Sequence, residues 1–445
     1  MREHWGSRLG FILAAIGSAV GLGVLWKFPY TVGENGGGLF LLIYILCIAF
    51  IGVPMLIAEL HLGRQAQRAA VGAFGVLAHR RPNWKAAGWF GVLASFLIMS
   101  FYSVIAGWGM SYILMSLNGV YQTSSPEEIS AAFTTLSHSG SITVLWHFLF
   151  TLITAGIVIS GVRQGIEFWS KIMTRALFVI LLMLFAYSLT LEGFGQAAHF
   201  IFAINWQTFT VSNALEALGL AFFTLSLGQG IMISYGSYMR QEERIPQLAL
   251  VISFAVIVVA ILAALTIFPV IFTFGLAPEA GEGLVFKTLP YLFAKMPGSL
   301  ILSTVFFTLF VFTALTSSIP FIEVVATNLM ELKGYSRKKA TVAVALGTFL
   351  FGIPSALSFS RGLFPTWSVI YGHGFLTIMN RFVSTWVIPL GGLLTAIFVG
   401  WVLAKEETEK AFVHKKVWRL WYFFVKWVIP LTILAMILQK SGVFD

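Results

Sequence analysis

Seven consecutive residues in the first apolar stretch, Gly17-Ser-Ala-Val-Gly21-Leu-Gly23, carry three glycines, an interruption at which a helix in lipid can unwind. Unwound backbone leaves N–H and C=O groups without intrahelical partners. In a bilayer such a segment persists only where it lines a cavity. The freed N–H groups at a half-helix N-terminus favour an anion, and the freed carbonyls favour a cation. A second break, Ser226-Leu-Gly228-Gln-Gly230, lies five apolar segments later. An odd number of segments per repeat inverts the second copy relative to the first, and interruptions at matching places in two halves point to a solute site. The spacing of Gly17 and Gly21 also suits close helix packing; the paired placement favours the cavity. One acid, Glu59, sits inside an apolar segment, where a carboxylate is a functional candidate by default. It is a possible proton site, or a protonated structural acid bonded to the unwound span-1 backbone. Glu323 is a weaker candidate of the same kind.

The elements that must carry these residues are membrane helices. The chain has 445 residues, 58% hydrophobic and 10% charged, with a mean hydropathy of +0.88. A water-soluble domain needs more polar surface. Apolar segments run approximately over 8–32, 38–63, 86–117, 141–162, 167–191, 213–239, 247–275, 299–331, 340–358, 378–404 and 417–438. They are spans 1 to 11 below. The formal charge of +10 is a topology signal, because 21 of the 28 Lys and Arg residues fall on alternate ends and loops, from Arg2 and Arg8 to Lys416 and Arg419. The positive-inside rule puts the N-terminus in the cytoplasm of a multi-pass protein of the plasma (inner) membrane. The charge therefore implies the lipid bilayer as partner and no nucleic acid. Outer loops are expected at 119–140, 192–212 and 276–298, the last apolar enough to pack as a re-entrant cap. The first apolar run is too long for a cleavable signal and is expected to stay. Cys47 is a lone cysteine with no intramolecular disulfide partner, and no Cys/His cluster has metal spacing. With no nucleophile–base pair or phosphate loop either, an enzyme is not expected.

The run Arg2-Glu-His-Trp-Gly-Ser-Arg-Leu-Gly10, then Gly17–Gly23, Trp26-Lys-Phe-Pro29 and Glu34-Asn-Gly-Gly-Gly38 closely resembles the start of the neurotransmitter:sodium symporters. Gly52-Val-Pro54, Glu59, Gly63-Arg64, Phe223-Thr-Leu-Ser-Leu-Gly228, Thr288-Leu-Pro290 and Leu315-Thr-Ser-Ser318 extend the likeness over nearly the whole chain. The resemblance implies an all-α polytopic fold of five-plus-five inverted repeats, with broken helices 1 and 6 and about 11 transmembrane helices, as in the shorter bacterial members. The repeats would be 8–191 and 213–404, with 417–438 as an extra span, all in one transporter domain, 1–445. It also implies a sodium site at Gly17, Val20, Thr313, Thr316 and Ser317, whose neutral oxygens suit a hard cation. The substrate site would comprise Ala19, Leu22, Gly23, Ile98, Tyr102, Ile105, Phe223, Ser226, Gln229 and Phe321, with Ser317 shared and Phe223 as lid. Arg2, Trp5, Tyr238 and Glu331 match the cytoplasmic gate, with Arg2–Glu331 as its ion pair. Lys27 matches the basic member of the outer gate.

Departures from the family pattern matter as much. The first sodium site loses a span-1 asparagine to Val24 and a span-7 ligand to Val256, while Thr224 keeps its oxygen. Two isopropyl groups offer a desolvated ion nothing. One sodium ion is therefore expected. No chloride is expected, since Val256–Ala260 contains no acid and the only aspartate is Asp445. Asn380 replaces the acidic partner of the outer gate, so Lys27 is expected to make a neutral hydrogen bond to it. These features imply a symporter importing a small, hydrophobic or aromatic amino acid-type solute on one sodium site, as a monomer or weak dimer. The alternatives are a proton-coupled or ion-independent transporter of an amine or indole compound, or a non-transporting receptor-like homologue.

Overall fold

The computed structural model describes residues 3–78, 81–120, 125–275, 283–360 and 367–440. Among them every regular element is helical. Nine helices are long and apolar enough to cross a membrane, and a tenth span is a pair, Arg8–Ala19 and Gly23–Glu34, bent by 46°. In place of an uninterrupted span 6 stand two short helices, Val211–Thr224 and Ile231–Gly236. The expected count of eleven therefore depends on taking this interrupted pair as one crossing.

Local chemistry accounts for both breaks. Span 1 begins at Ser7, whose hydroxyl accepts from the Gly10 N–H at 3.0 Å, a standard N-cap. It stops at Val20, and helix resumes at Gly23 with a π-helical turn. In span 6, Gly228 and Gly230 take φ of 72°, a region open to glycine, and Ser226 is held at φ 54°. Span 10 forces the tight turn: a Cβ on Gly228 would lie 2.3 Å from the Ile388 carbonyl oxygen. Span 8, Ser299–Lys333, contains Pro320. Lacking an N–H, Pro320 leaves the Thr316 carbonyl without its usual intrahelical donor.

The expected outer loops are partly ordered. Residues 119–140 contain the helix Pro126–His138, and 192–212 contain Phe194–Phe202. The described part of the third folds as Leu284–Thr288 and Leu289–Ala294. Phe286 ties this cap down: its carbonyl accepts from Tyr112 Oη at 2.6 Å, and its ring stacks on Phe133 at 5.4 Å. Spans 3 and 8 form the buried centre, and the two breaks face it.

Candidate functional site

A cavity lies where the two breaks meet. Ser18, Ala19, Gly21, Leu22 and Gly23 line it from span 1, Phe223, Ser226 and Gln229 from span 6, Tyr102 from span 3, and Ser317 and Phe321 from span 8. Ile98 and Ile105, also expected there, are buried on span 3 on either side of Tyr102 and do not line it. One helical turn from a lining residue, they support the wall instead.

Glycine is required on this wall. A Cβ on Gly21 would lie 2.4 Å from Ser317 Oγ and 3.3 Å from Tyr102 Oη, and one on Gly23 would lie 2.6 Å from the Phe223 ring. The Tyr102 hydroxyl accepts from the Leu22 N–H at 3.2 Å and also bonds the Ser317 side chain, so it ties the span-1 break to span 8. Its ring meets Phe321 edge-on at 5.6 Å. The Gln229 side chain is buried and its Nε2 has no partner among the described residues. An enclosed amide donor without an acceptor is unfavourable by about 1–3 kcal/mol, which a bound polar group would relieve. Ser18 was not singled out from sequence. Its hydroxyl lies 3.3 Å from Ser226 Oγ, and its carbonyl accepts from Ser317 at 2.9 Å and Ser226 at 3.2 Å. A hydroxyl beside a break within an apolar run was the available signal.

On one flank of the break, oxygens converge. Ser317 Oγ is 3.3 Å from the Gly17 carbonyl. Thr316 Oγ1 donates to the Thr313 carbonyl at 2.9 Å. A Cβ on Gly17 would lie 3.1 Å from Thr316 Cβ and 2.5 Å from Thr174 Oγ1, so the helices meet where side-chain volume is least. Val20 ends the helix here, with its N–H bonded to Ile16. Among the described residues no cluster of His, Cys, Asp or Glu could hold a metal, so this is a neutral-oxygen set, which fits sodium in ligand type. The two hydroxyls now satisfy carbonyls that an ion would otherwise coordinate.

On the other flank, Val24 and Val256 are fully buried. The Thr224 hydroxyl donates to the Leu220 carbonyl at 2.9 Å and pairs with Tyr44 Oη at 2.8 Å. The Tyr44 ring packs on Phe28 at 5.0 Å. The oxygen that sequence left to a first sodium site thus belongs to a closed hydrogen-bond pair.

Two expectations need correction. Lys27 and Asn380 do not meet. Asn380 Oδ1 accepts from Ser384 at 3.3 Å, one turn along span 10, while the Lys27 ammonium lies 5.2 Å from the Phe223 ring centroid. Lys27 lines a crevice with Glu216, Ser384 and Lys440. The span-1 bend aims it along span 6, toward Phe223. Glu59 bonds to span 6 and not to span 1: Oε1 accepts from the Gly228 N–H at 2.7 Å, and Oε2 is enclosed without a partner among the described residues. The acid therefore braces the second break.

The N-terminal segment packs against the second half of span 6 at the end of the bundle away from the Leu284–Ala294 cap. The buried Trp5 donates from Nε1 to the Tyr235 carbonyl at 3.0 Å and from its backbone to the Tyr238 carbonyl at 3.1 Å. Glu167 holds the Gly6 N–H at 2.6 Å and Ser7 Oγ at 2.8 Å. Tyr238 Oη donates to Glu323, which also pairs with Arg337 at 2.8 Å; Glu323 is thereby a structural link. Glu331 accepts from the Ala69 N–H at 2.8 Å. Its expected partner Arg2 lies outside the described residues. Glu167 and Arg337 were not anticipated, because their partners are distant in sequence.

The comparisons agree with this geometry. A sequence model of the "Sodium:neurotransmitter symporter family" matches residues 2–126 and 121–444. The sodium-dependent transporter YhdH of Bacillus subtilis (strain 168) is 35% identical over 99% of this chain and 98% of its own. A sodium-dependent transporter of Haemophilus influenzae is 34% identical over the same shares. The crystal structure of MhsT in complex with L-phenylalanine matches with a TM-score of 0.92 and 40% identity, over 99% of this chain and 100% of that one. Two broken helices around a small cavity, within a chain that these comparisons cover almost end to end, make it a member of the sodium:neurotransmitter symporter family, whose members are multi-pass membrane transporters and not enzymes.

Proposed function

We propose that the chain is a secondary active symporter that imports a hydrophobic or aromatic amino acid by alternating access, driven by sodium at one site. The supporting observation is the cavity between the two breaks, with Tyr102 and the Leu22 N–H at one end and Phe223, Phe321 and Gln229 around it. Its aromatic walls and few convergent polar groups suit one small solute. MhsT, the structural neighbour, is complexed with L-phenylalanine, and the relatives are named sodium-dependent transporters. Gly17, Val20, Thr313, Thr316 and Ser317 would hold the ion. The bound ion supplies positive charge and lets a gradient drive the cycle; the chain itself must orient the solute and alternate its two gates. The N-terminus lies in the cytoplasm of a plasma-membrane protein, repeats 8–191 and 213–404 invert, 417–438 adds a span, and no chloride is needed.

The test is uptake into proteoliposomes under imposed sodium or proton gradients, with a panel of amino acids. Sodium-driven accumulation of aromatic amino acids is the expected result. Uptake indifferent to sodium would sink the coupling claim. One observation favours a second reading: the dry Val24 flank removes the ion that in the family touches the substrate carboxylate. Matching amines therefore belong in the panel, and stabilisation by amines alone would replace amino acid with amine.

A further inference from the structure

Span 11 carries a lysine, Lys426, well inside its helix Lys415–Lys440. Its depth follows from its neighbour. A Cβ on Gly400 would lie 3.0 Å from Lys426 Cα, so Lys426 is level with Gly400 of span 10. That span, Phe375–Val402, ends two residues later, about 3 Å along the axis. The Lys426 ammonium lies against the same Tyr422 ring as Lys405, which sits three residues beyond the end of span 10. The first turns of span 11, with exposed Val417 and Leu420 beside Lys415, Lys416 and Arg419, extend past that level as an interfacial segment.

The Lys426 ammonium stands among aromatic faces, 5.6 Å from the centroid of Trp401, 5.7 Å from Tyr422 and 5.6 Å from Trp427. Lys405 reaches the same Tyr422 ring at 5.8 Å. That ring is fixed by a 2.8 Å hydrogen bond from Tyr422 Oη to the Gly400 carbonyl. Trp401 and Trp427 pack edge-on at 5.4 Å, both with outward-facing surface. Ring faces attract a cation but do not neutralise it. Neither lysine has an acidic partner within 4 Å among the described residues. Glu407 holds Lys410 at 2.8 Å and Gln65 at 2.6 Å, and Glu409 holds Lys415 at 2.9 Å. Glu406, beside Lys405, is exposed. Across 401–428 six Lys and Arg residues face three Glu. Two ammonium groups at the membrane surface, held by rings and short of carboxylates, call for an anion that the bilayer supplies.

We propose that Lys426 and Lys405, framed by Trp401, Tyr422 and Trp427, bind the phosphate of an anionic phospholipid in the leaflet on the basic side of the membrane. Its acyl chains would follow the exposed apolar surface between spans 2 and 11, where Phe50 stacks on Phe424 at 5.9 Å. The site is separate from the solute cavity, so it stands or falls independently of the transport reading.

The test titrates the full chain in detergent with phosphatidylglycerol or phosphatidylcholine and reads the melting midpoint. Phosphatidylglycerol should raise it and phosphatidylcholine should not. With Lys405→Gln and Lys426→Gln combined, roughly thirtyfold more phosphatidylglycerol should be needed, while Lys426→Arg keeps the response. Solute and sodium binding should be unchanged in both variants, which shows that they fold. Equal stabilisation by the two lipids, or an undiminished response in the double variant, overturns the proposal. Equal stabilisation by chain-free glycerol phosphate overturns the lipid as source, and a lysine-dependent dimer insensitive to lipid assigns the face to a second copy.

Discussion

The two flanks of the span-1 break, a few residues apart, face opposite environments. Toward Gly17 and Val20, hydroxyls of Thr316 and Ser317 and carbonyls of spans 1 and 8 converge. On the Val24 side, Val24 and Val256 are fully buried, and Tyr44, whose ring packs on Phe28, is paired with Thr224. Backbone unwinding frees carbonyls on either side of the break. Whether an ion can use them depends on the side chains that other helices bring. One flank is an oxygen cradle whose polar groups can turn toward a cation; the other is a closed apolar seam.

The largest effect should come from removing the cradle. Thr316→Ala combined with Ser317→Ala deletes both hydroxyls and leaves the facing carbonyls unpaired. Each lost partner is worth about 1–3 kcal/mol, so the sodium half-saturation of uptake should rise roughly a hundredfold or more. An unchanged sodium dependence would place the coupling ion elsewhere and erase the contrast between the flanks.

Next comes an attempt to restore the dry flank. Val24→Asn inserts an amide where Val256 offers no oxygen and Thr224 is engaged. It should destabilise the protein by about 1–3 kcal/mol, as an unsatisfied buried polar group does, and leave the sodium Hill coefficient unchanged. A higher Hill coefficient would mean that the flank had retained enough oxygens for an ion. A smaller loss, at about the same threshold of detection, is expected of Gly17→Ala. Its Cβ meets Thr174 Oγ1 and Thr316 Cβ, and overpacking costs about 1–3 kcal/mol, partly relieved by rotation of Thr174. It should weaken sodium-dependent stabilisation in a thermal melt.

The breaks and the span boundaries were legible in the sequence because each is a local signal: glycine clusters and apolar runs. The cavity residues came from the family pattern. What the sequence did not disclose lies in contacts between distant segments. Tyr44 looks like any tyrosine in an apolar helix, and only packing of span 2 on span 6 makes it the partner of Thr224. Glu59 was recognisable as a buried acid, but which break it braces depends on how span 2 rotates. Lys27 was recognised as a gate residue, yet its neighbours are set by the 46° bend that turns it toward Phe223. Ile98 and Ile105 have the right spacing about Tyr102, but the helix turns them away from the cavity lining.

The finest test concerns the Tyr44–Thr224 pair. Tyr44→Phe removes the O–H that saturates Thr224 and keeps the ring against Phe28. The loss of one buried hydrogen bond should destabilise the protein by about 0.5–1.5 kcal/mol. The Thr224 hydroxyl still donates to the Leu220 carbonyl, so only one lone pair is released. One hydroxyl oxygen cannot replace the hydration of an ion. Sodium half-saturation should therefore match that of the parent protein, with a lower melting midpoint as the only change. If Tyr44→Phe instead altered the sodium response, Thr224 would be within reach of an ion, and the seam would be a latent second site held shut by one phenol.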